Sequence, residues 1–478
     1  MSLQSLPGLG SESRHSSTIG SDGWLLNIIA LRSLFLAGPF TDRAAVGTLR
    51  LQMNSSTLLF REALHEVYLP RIQRGNTYFA ANILGARGPL LSVLVHFFEH
   101  GRWGSPVETA VEGQSLTGED QLFILMQASP YLTATRGLGA PESRICCERA
   151  ESLCHSLGRP LLLYVALIGQ WRYTLMTDKV SAAMQIAERV HSLAQEQDDP
   201  ALMIGAYNAL AATLYYLGDF ESARQHAKHG LQIWDSGSVQ SSAEDLYTPA
   251  VGCLGYGALA AWHLGEIASS RVNLDEAISL AKELNDTNAL ALALNWAANL
   301  AQFERNPAEV ERLVSDMIEL STRHNLVYFL NVGAIWRAWA RSVSGDTAEA
   351  IPWIGHGIRD FRATGSVLGM PLYMAQKAEA LHLADRTSEA LEVMNEAQAL
   401  AERFEHHYCL AELRRLRGVF LASIGADESQ IEASLCAAIS TARQQKSISL
   451  AERAEATYTE YRRQKANASG GRGFRLPL

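Results

Sequence analysis

The stretch His96-Phe97-Phe98-Glu99-His100 sets two imidazoles four residues apart with a carboxylate between them. On a helix the two rings stand one turn apart and can chelate zinc. The glutamate can then act as general base, as in a zinc-dependent hydrolase. That chemistry needs a further carboxylate ligand downstream, on a matching helix, and none is identifiable. An ordinary helix with a polar face accounts for the same residues. The pair His226 and His229 and the pair His406-His407 sit in charged helical text, without Cys or carboxylate partners at ligand spacing. They read as solvated helix faces.

Other catalytic patterns are missing. There is no Gly-x-x-x-x-Gly-Lys-Ser/Thr loop to cradle phosphates and no Gly-x-Ser-x-Gly elbow. Gly470-Gly471-Arg472-Gly473 follows no strand, so it is not a dinucleotide turn. The six cysteines are few and scattered, which argues against a secreted disulfide framework and for free thiols packed as small apolar groups.

What remains is recognition chemistry. Asn208, Tyr215, Trp262, His263, Asn295, Asn299, Gln302, Trp339, Glu379 and His382 fall, by register, on helix faces that line a groove. Asn and Gln can hydrogen-bond a peptide backbone, and Trp and Tyr supply anchor area. The competing explanation is that Trp262 and Trp339 fill gaps between helices and that the Asn side chains are simply exposed.

The elements that would position these residues repeat. In the clearest unit, Tyr207-Asn208-Ala209-Leu210-Ala211 lies on a first helix and Leu217-Gly218-Asp219-Phe220 makes a turn. A second helix then carries Ala223, Ala227 and Gly230. Gly permits the tight turn, and small residues let helices approach closely. The same unit recurs around Leu264-Gly265-Glu266, Arg305-Asn306-Pro307, Ser344-Gly345-Asp346 and Ala384-Asp385-Arg386. The first small positions of the second helices are 183, 223, 270, 310, 350, 390 and 433, in steps of 40, 47, 40, 40, 40 and 43. A period this regular is a solenoid signature. The turn Gly followed by Ala-x-x-x-Ala-x-x-Gly is similar to the tetratricopeptide pattern. The expected fold is all-α, a right-handed α–α superhelix in which each hairpin covers its neighbour's apolar flank.

Residues 1–23 read as disordered, 24–112 as a small helical region, 113–460 as the repeat domain and 461–478 as a flexible tail. Hydrophobic residues make up 47% and charged residues 19% of 478, and the net charge is −9. A non-specific nucleic-acid binder normally carries a basic surplus, because phosphate-backbone contacts supply most of its affinity, so no nucleic acid is expected as partner. No stretch offers the roughly 20 apolar residues of a membrane span, nor a secretory leader, so a cytoplasmic location is expected.

The stretches Ala134 to Glu142, Asp199-Pro200-Ala201-Leu202 and Ala433 to Ser447 stand out. On them the chain resembles the C-terminal repeat region of bacterial signalling ATPases of the STAND type, which often carry a cyclase or kinase domain. Its helical part is also similar to the sensor region of the maltose-regulator class of transcription activators. Leu59 to His65 resembles the segment closing the winged-helix part of such ATPases, and Leu90 to Trp103 the lead-in to their repeats. The missing phosphate loop means that the family's nucleotide chemistry does not carry over. The sequence therefore reads as a non-enzymatic sensor arm without cofactor, standing alone or truncated. Its expected partner is a protein or peptide in the concave groove, with a small-molecule effector as a second class of ligand. A transcription regulator of the maltose-regulator type and a zinc-dependent hydrolase using His96 and His100 are the alternatives.

Overall fold

A computed structural model of the chain describes residues 117–235, 248–324, 326–467 and 474–478. The stretch 1–116, including His96 and His100, the segment resembling a winged-helix part and residues 1–23 that the sequence predicts to be disordered, lies outside the described residues. Among those described there are seventeen α-helices and no strand, wound as a right-handed α–α superhelix.

The helices are α1 (Gly118–Arg136), α2 (Pro141–Leu157), α3 (Pro160–Thr177), α4 (Val180–Gln197), α5 (Pro200–Leu217) and α6 (Phe220–Asp235). They continue with α7 (Pro249–His263), α8 (Ile267–Glu283), α9 (Thr287–Phe303), α10 (Pro307–His324), α11 (Val327–Val343) and α12 (Thr347–Ala363). The last are α13 (Met370–Leu383), α14 (Thr387–Phe404), α15 (Leu410–Ser423), α16 (Glu428–Gln444) and α17 (Ile448–Asn467). Each odd-numbered helix from α1 to α15 pairs with the helix after it, and α17 closes the stack.

The turns keep the period. Left-handed residues end successive helices at Gly265, Asn285, Arg305, Gly345, Gly365, Asp385, Glu405 and Gly425, every twenty or forty residues. Each lets the following N–H reach back and close the helix end. Glu266 N donates to Ala261 O at 2.9 Å, Asn306 N to Ala301 O at 2.9 Å and Asp346 N to Arg341 O at 3.0 Å. This is the six-to-one bond of a Schellman motif. A capping side chain then starts the next helix, as where Asp286 Oδ1 accepts from Ala289 N at 3.0 Å.

Second helices bury one stripe with spacing four, three and four. In α4 these are Ala183, Ala187, Val190 and Ala194; in α14 they are Ala390, Met394, Ala397 and Ala401. Two details differ from the expected register. In α16 the stripe is Ile431, Leu435, Ala438 and Ala442, and Ala433 is exposed. Ile431 is the fourth residue of its helix, as Ala183 and Ala390 are of theirs, so the final step is 41. An eighth copy also precedes the seven: Ser143, Cys147, Ala150 and Cys154 form the stripe of α2, forty residues before α4. Cysteine and serine take the places of alanine there, which hid the copy. The seven extra residues of the 47-residue step fall between Asp235 and Thr248.

Helix α17 runs to Asn467, beyond the expected boundary at 460. Residues 474–478 return to the stack instead of standing off as a tail. The Phe474 ring lies 5.1 Å from that of Tyr461, and Leu476 is buried.

Candidate functional site

First helices form the inner wall, and the wall is covered. Every residue of α7 is buried, and α5 buries twelve residues. A helix facing an open groove would leave one side wet. The cover comes from the superhelix meeting itself. Val367 N donates to Met176 O at 2.7 Å, Ser181 N donates to Glu405 Oε2 at 2.9 Å, and Lys446 pairs with Glu221. These partners are about five forty-residue repeats apart, so the contacts make a seam between early and late repeats.

The turn between α16 and α17 and the start of α17 also reach the first helices. Ser447 Oγ lies 2.9 Å from His263 Nδ1, and Ser449 Oγ donates to Trp262 O at 2.5 Å. Arg453 donates to Phe303 O and sits over the Trp262 ring, 5.5 Å from its centre. It also pairs with Glu412 at 3.4 Å. Arg415 grips the same carboxylate through both of its oxygens, at 2.8 and 2.9 Å, and reaches Pro477 O at 3.1 Å. Arg305 pairs with Glu379 at 2.6 Å and lies over the Trp339 ring at 5.3 Å. Burial pushes the Glu412 carboxyl up, but Arg415 and Arg453 outweigh it and hold it down at about 2. Three guanidinium groups thus share two carboxylates in the interior.

Trp262, Trp339 and Glu379 belong to this ion cluster directly. His263 borders it, stacked on Phe220 at 3.7 Å, with burial holding its ring well below the ordinary range. Gln302 lies one helical turn before Arg305, and its Oε1 is buried without a hydrogen-bond partner among the described residues. The Trp339 Nε1 and the Asn299 Oδ1 are likewise unpartnered there. Tyr215 lies in an adjoining aromatic group, 5.3 Å from Tyr408, 6.0 Å from Tyr256 and 5.8 Å from His263. Asn208 is buried in α5. Asn295 Oδ1 accepts from Trp336 Nε1 at 3.1 Å, and His382 Nδ1 lies 3.0 Å from Thr387 Oγ1. None of the ten residues is exposed.

Arg305, Glu412, Arg415, Ser447 and Arg453 are not among the candidate site residues of the sequence. Arg415 stands in Glu412-Leu-Arg-Arg-Leu-Arg-Gly418, which has the look of a solvated face, and Arg453 finds its contact 150 residues away. No local spacing marks such a pair.

Catalytic geometry is poor. The His263–Ser447 contact lies between two fully buried residues, where no substrate reaches. Five of the six thiols are buried, and burial pushes Cys253 and Cys409 up to about 12, which suppresses the reactive thiolate. His226 and His229 lie near His191 around the Tyr207 ring, and His406 is buried beside Tyr216. Among the described residues no three His, Cys, Asp or Glu side chains converge as a metal site. No described helix is long and apolar enough to cross a membrane.

No protein-family profile matches the chain. An uncharacterised protein of Rhizobium meliloti (strain 1021) is 24% identical over 343 residues, 71% of this chain. The match covers 33% of that relative, so the chain spans about a third of its length. Among solved structures, a Rap protein complexed with Competence and Sporulation Factor matches 73% of this chain and 99% of its own, at 12% identity and a TM-score of 0.48. Aspartyl phosphate phosphatase F from Bacillus subtilis matches 82% and 96%, at 12% identity and 0.44. A STAND protein with a tetratricopeptide repeat sensor from Pyrococcus horikoshii matches 91% and 64%, at 13% identity and 0.41. The chain is similar to these helical-repeat proteins in outline, and its own helices and turns define it as a tetratricopeptide-like solenoid.

Proposed function

We propose that this chain is a non-catalytic regulatory module that takes a protein or peptide segment on the inner wall of its first helices. The α16–α17 turn acts as the resident occupant of that wall. One observation carries the reading: the wall at Trp262 and Phe303 is covered by Ser449 and Arg453 of the chain's own C-terminal helix, Arg305 covers Glu379 and Trp339 beside it, and polar atoms of Gln302 and Trp339 are left unpaired among the described residues. A permanent core would be filled by apolar side chains. A wall that holds polar atoms under a removable segment suits exchange with a ligand segment. Orphaned buried polar groups favour whatever replaces that segment and pairs them.

We read the module further as the sensor arm of a STAND-type regulator, acting in the cytoplasm, with a small effector adjusting the seam. That reading rests on the sequence resemblance around Ala134, Asp199 and Ala433.

The test compares full-length wild type, Arg453→Glu and the double variant Arg453→Glu/Trp262→Ala as bait in lysate of the source bacterium. Arg453→Glu sets a second acid beside Glu412 and opens the seam. We expect it to enrich a defined partner several-fold over wild type, and the added Trp262→Ala to abolish the gain. Equal recovery by all three baits would reject the inner wall as the binding surface.

A further inference from the structure

Outside the same seam lies a cleft of about 770 Å³, within the size range of small-molecule sites. One wall is α6, with Arg224 and Lys228. The other is the end of α16, with Arg443, and the α16–α17 turn, with Lys446. Leu264 and Ile448 make the floor. Four cations and two carboxylates, Glu221 and Glu266, thus face one cleft in a chain whose net charge is −9.

Three of them are compensated nearby. Arg224 pairs with Glu266 at 2.6 Å, Arg443 with Glu455 at 2.7 Å, and Lys446 with Glu221. These pairs are exposed, and such pairs are worth at most about 1 kcal/mol, so their cations turn to another anion at little cost. Lys228 is exposed and has no carboxylate partner among the described residues. The cleft therefore carries one uncompensated positive charge beside three that can be shared. The floor is apolar. Ile448 is 50% exposed, and its side chain approaches the Gly265 turn that Leu264 leads into.

We propose that this cleft binds a small amphipathic anion, one phosphate or carboxylate head with an apolar body. The head would lie among Lys228, Arg224, Arg443 and Lys446, and the body on Leu264 and Ile448. A polyanion such as nucleic acid is poorly served by one uncompensated charge. An extended peptide needs a longer track than a cleft of this volume. The assignment rests on the reading that the seam opens, because it gives the effector its role. Its occupant touches α6 and the α16–α17 turn together, and so holds the early and late repeats closed.

The experiment titrates full-length protein with 1-anilinonaphthalene-8-sulfonate, an amphipathic anion, and follows fluorescence. Competitors are phenyl phosphate, inorganic phosphate, benzyl alcohol and a hexaglutamate peptide. We expect one saturable site from which phenyl phosphate displaces the probe at least tenfold better than the other three. Lys228→Glu should weaken probe binding about tenfold through reversal of the unpaired charge, and Lys282→Glu on exposed α8 should leave it unchanged. Absence of saturation, or equal binding by Lys228→Glu, overturns the site. Inorganic phosphate matching phenyl phosphate, or the peptide surpassing it, overturns the ligand class. Hydrogen exchange at residues 445–451 is measured with and without phenyl phosphate, and slowing is expected. Binding that follows the variants without slowing would reject the gating role and leave the cleft standing. Failure of binding would reject the cleft and leave the inner wall untouched.

Discussion

Glu412 shows how residue-level electrostatics hold this interior. Its side chain is 11% exposed and that of Arg415 is 1% exposed, so the pair is desolvated and depends on geometry. Both guanidinium donors of the fork are used on the two carboxylate oxygens, and a third contact goes to Thr457 Oγ1 at 3.2 Å. Removing one partner leaves a buried charge unpaired, which costs about 3–5 kcal/mol, while replacing both with apolar groups is far milder. Arg415→Met should therefore lower stability by about 3 kcal/mol or more in urea denaturation. The double variant Arg415→Met/Glu412→Leu should recover part of that and not all, because Arg453 loses the same carboxylate. If the double variant is as unstable as the single, the pair is not the source of the effect.

At the level of elements, the twenty-residue beat of helix and turn does the organising. Asp385, with φ of 60°, occupies the left-handed position that Gly345 fills in the preceding repeat. It is exposed, so Asp385→Gly removes strain without disturbing packing and should stabilise by about 0.5–1 kcal/mol. Gly255 has the opposite role. A Cβ added there would come within 2.1 Å of the Trp296 ring, where α7 packs on α9. Gly255→Ala should therefore destabilise by about 1–3 kcal/mol. Thermal melting of the two variants checks both signs, and a shift in the same direction for both would contradict the assignment.

At the level of the molecule, the seam collects groups that resist acid. His406 is fully buried with neither ring nitrogen partnered among the described residues, and burial holds it down at about 3. His263 is shifted the same way. In the unfolded chain these rings take protons near pH 6.5, while the folded rings stay neutral. The unfolded state then binds more protons, and stability falls as pH drops below 6.5. Glu412 adds to this below pH 4.5, where its unfolded form protonates first. His406 alone should cost about 2 kcal/mol by pH 5. Melting at pH 7 and pH 5 should show a clear drop for the wild type and a smaller one for His406→Leu. Identical drops would mean that His406 does not set the acid response.

The array of paired helices, the forty-residue period and the small-residue stripes were legible in the linear chain. They are local: a helix stripe is set by residues four and three apart, and a turn by a glycine, asparagine or aspartate at one place. Register assigned Trp262, Trp339 and Glu379 to faces of first helices in the same local way, and all three are buried there. The copy in α2 stayed hidden because Ser143 and Cys147 match alanine in size but not in letter. Only the tertiary structure decided that the wall is covered, that Arg453 and Ser447 cover it, and that the cleft beside Lys228 exists. Those features depend on how much the superhelix turns per repeat. That angle sums many small packing choices, so it brings together residues about two hundred positions apart that no short-range pattern connects.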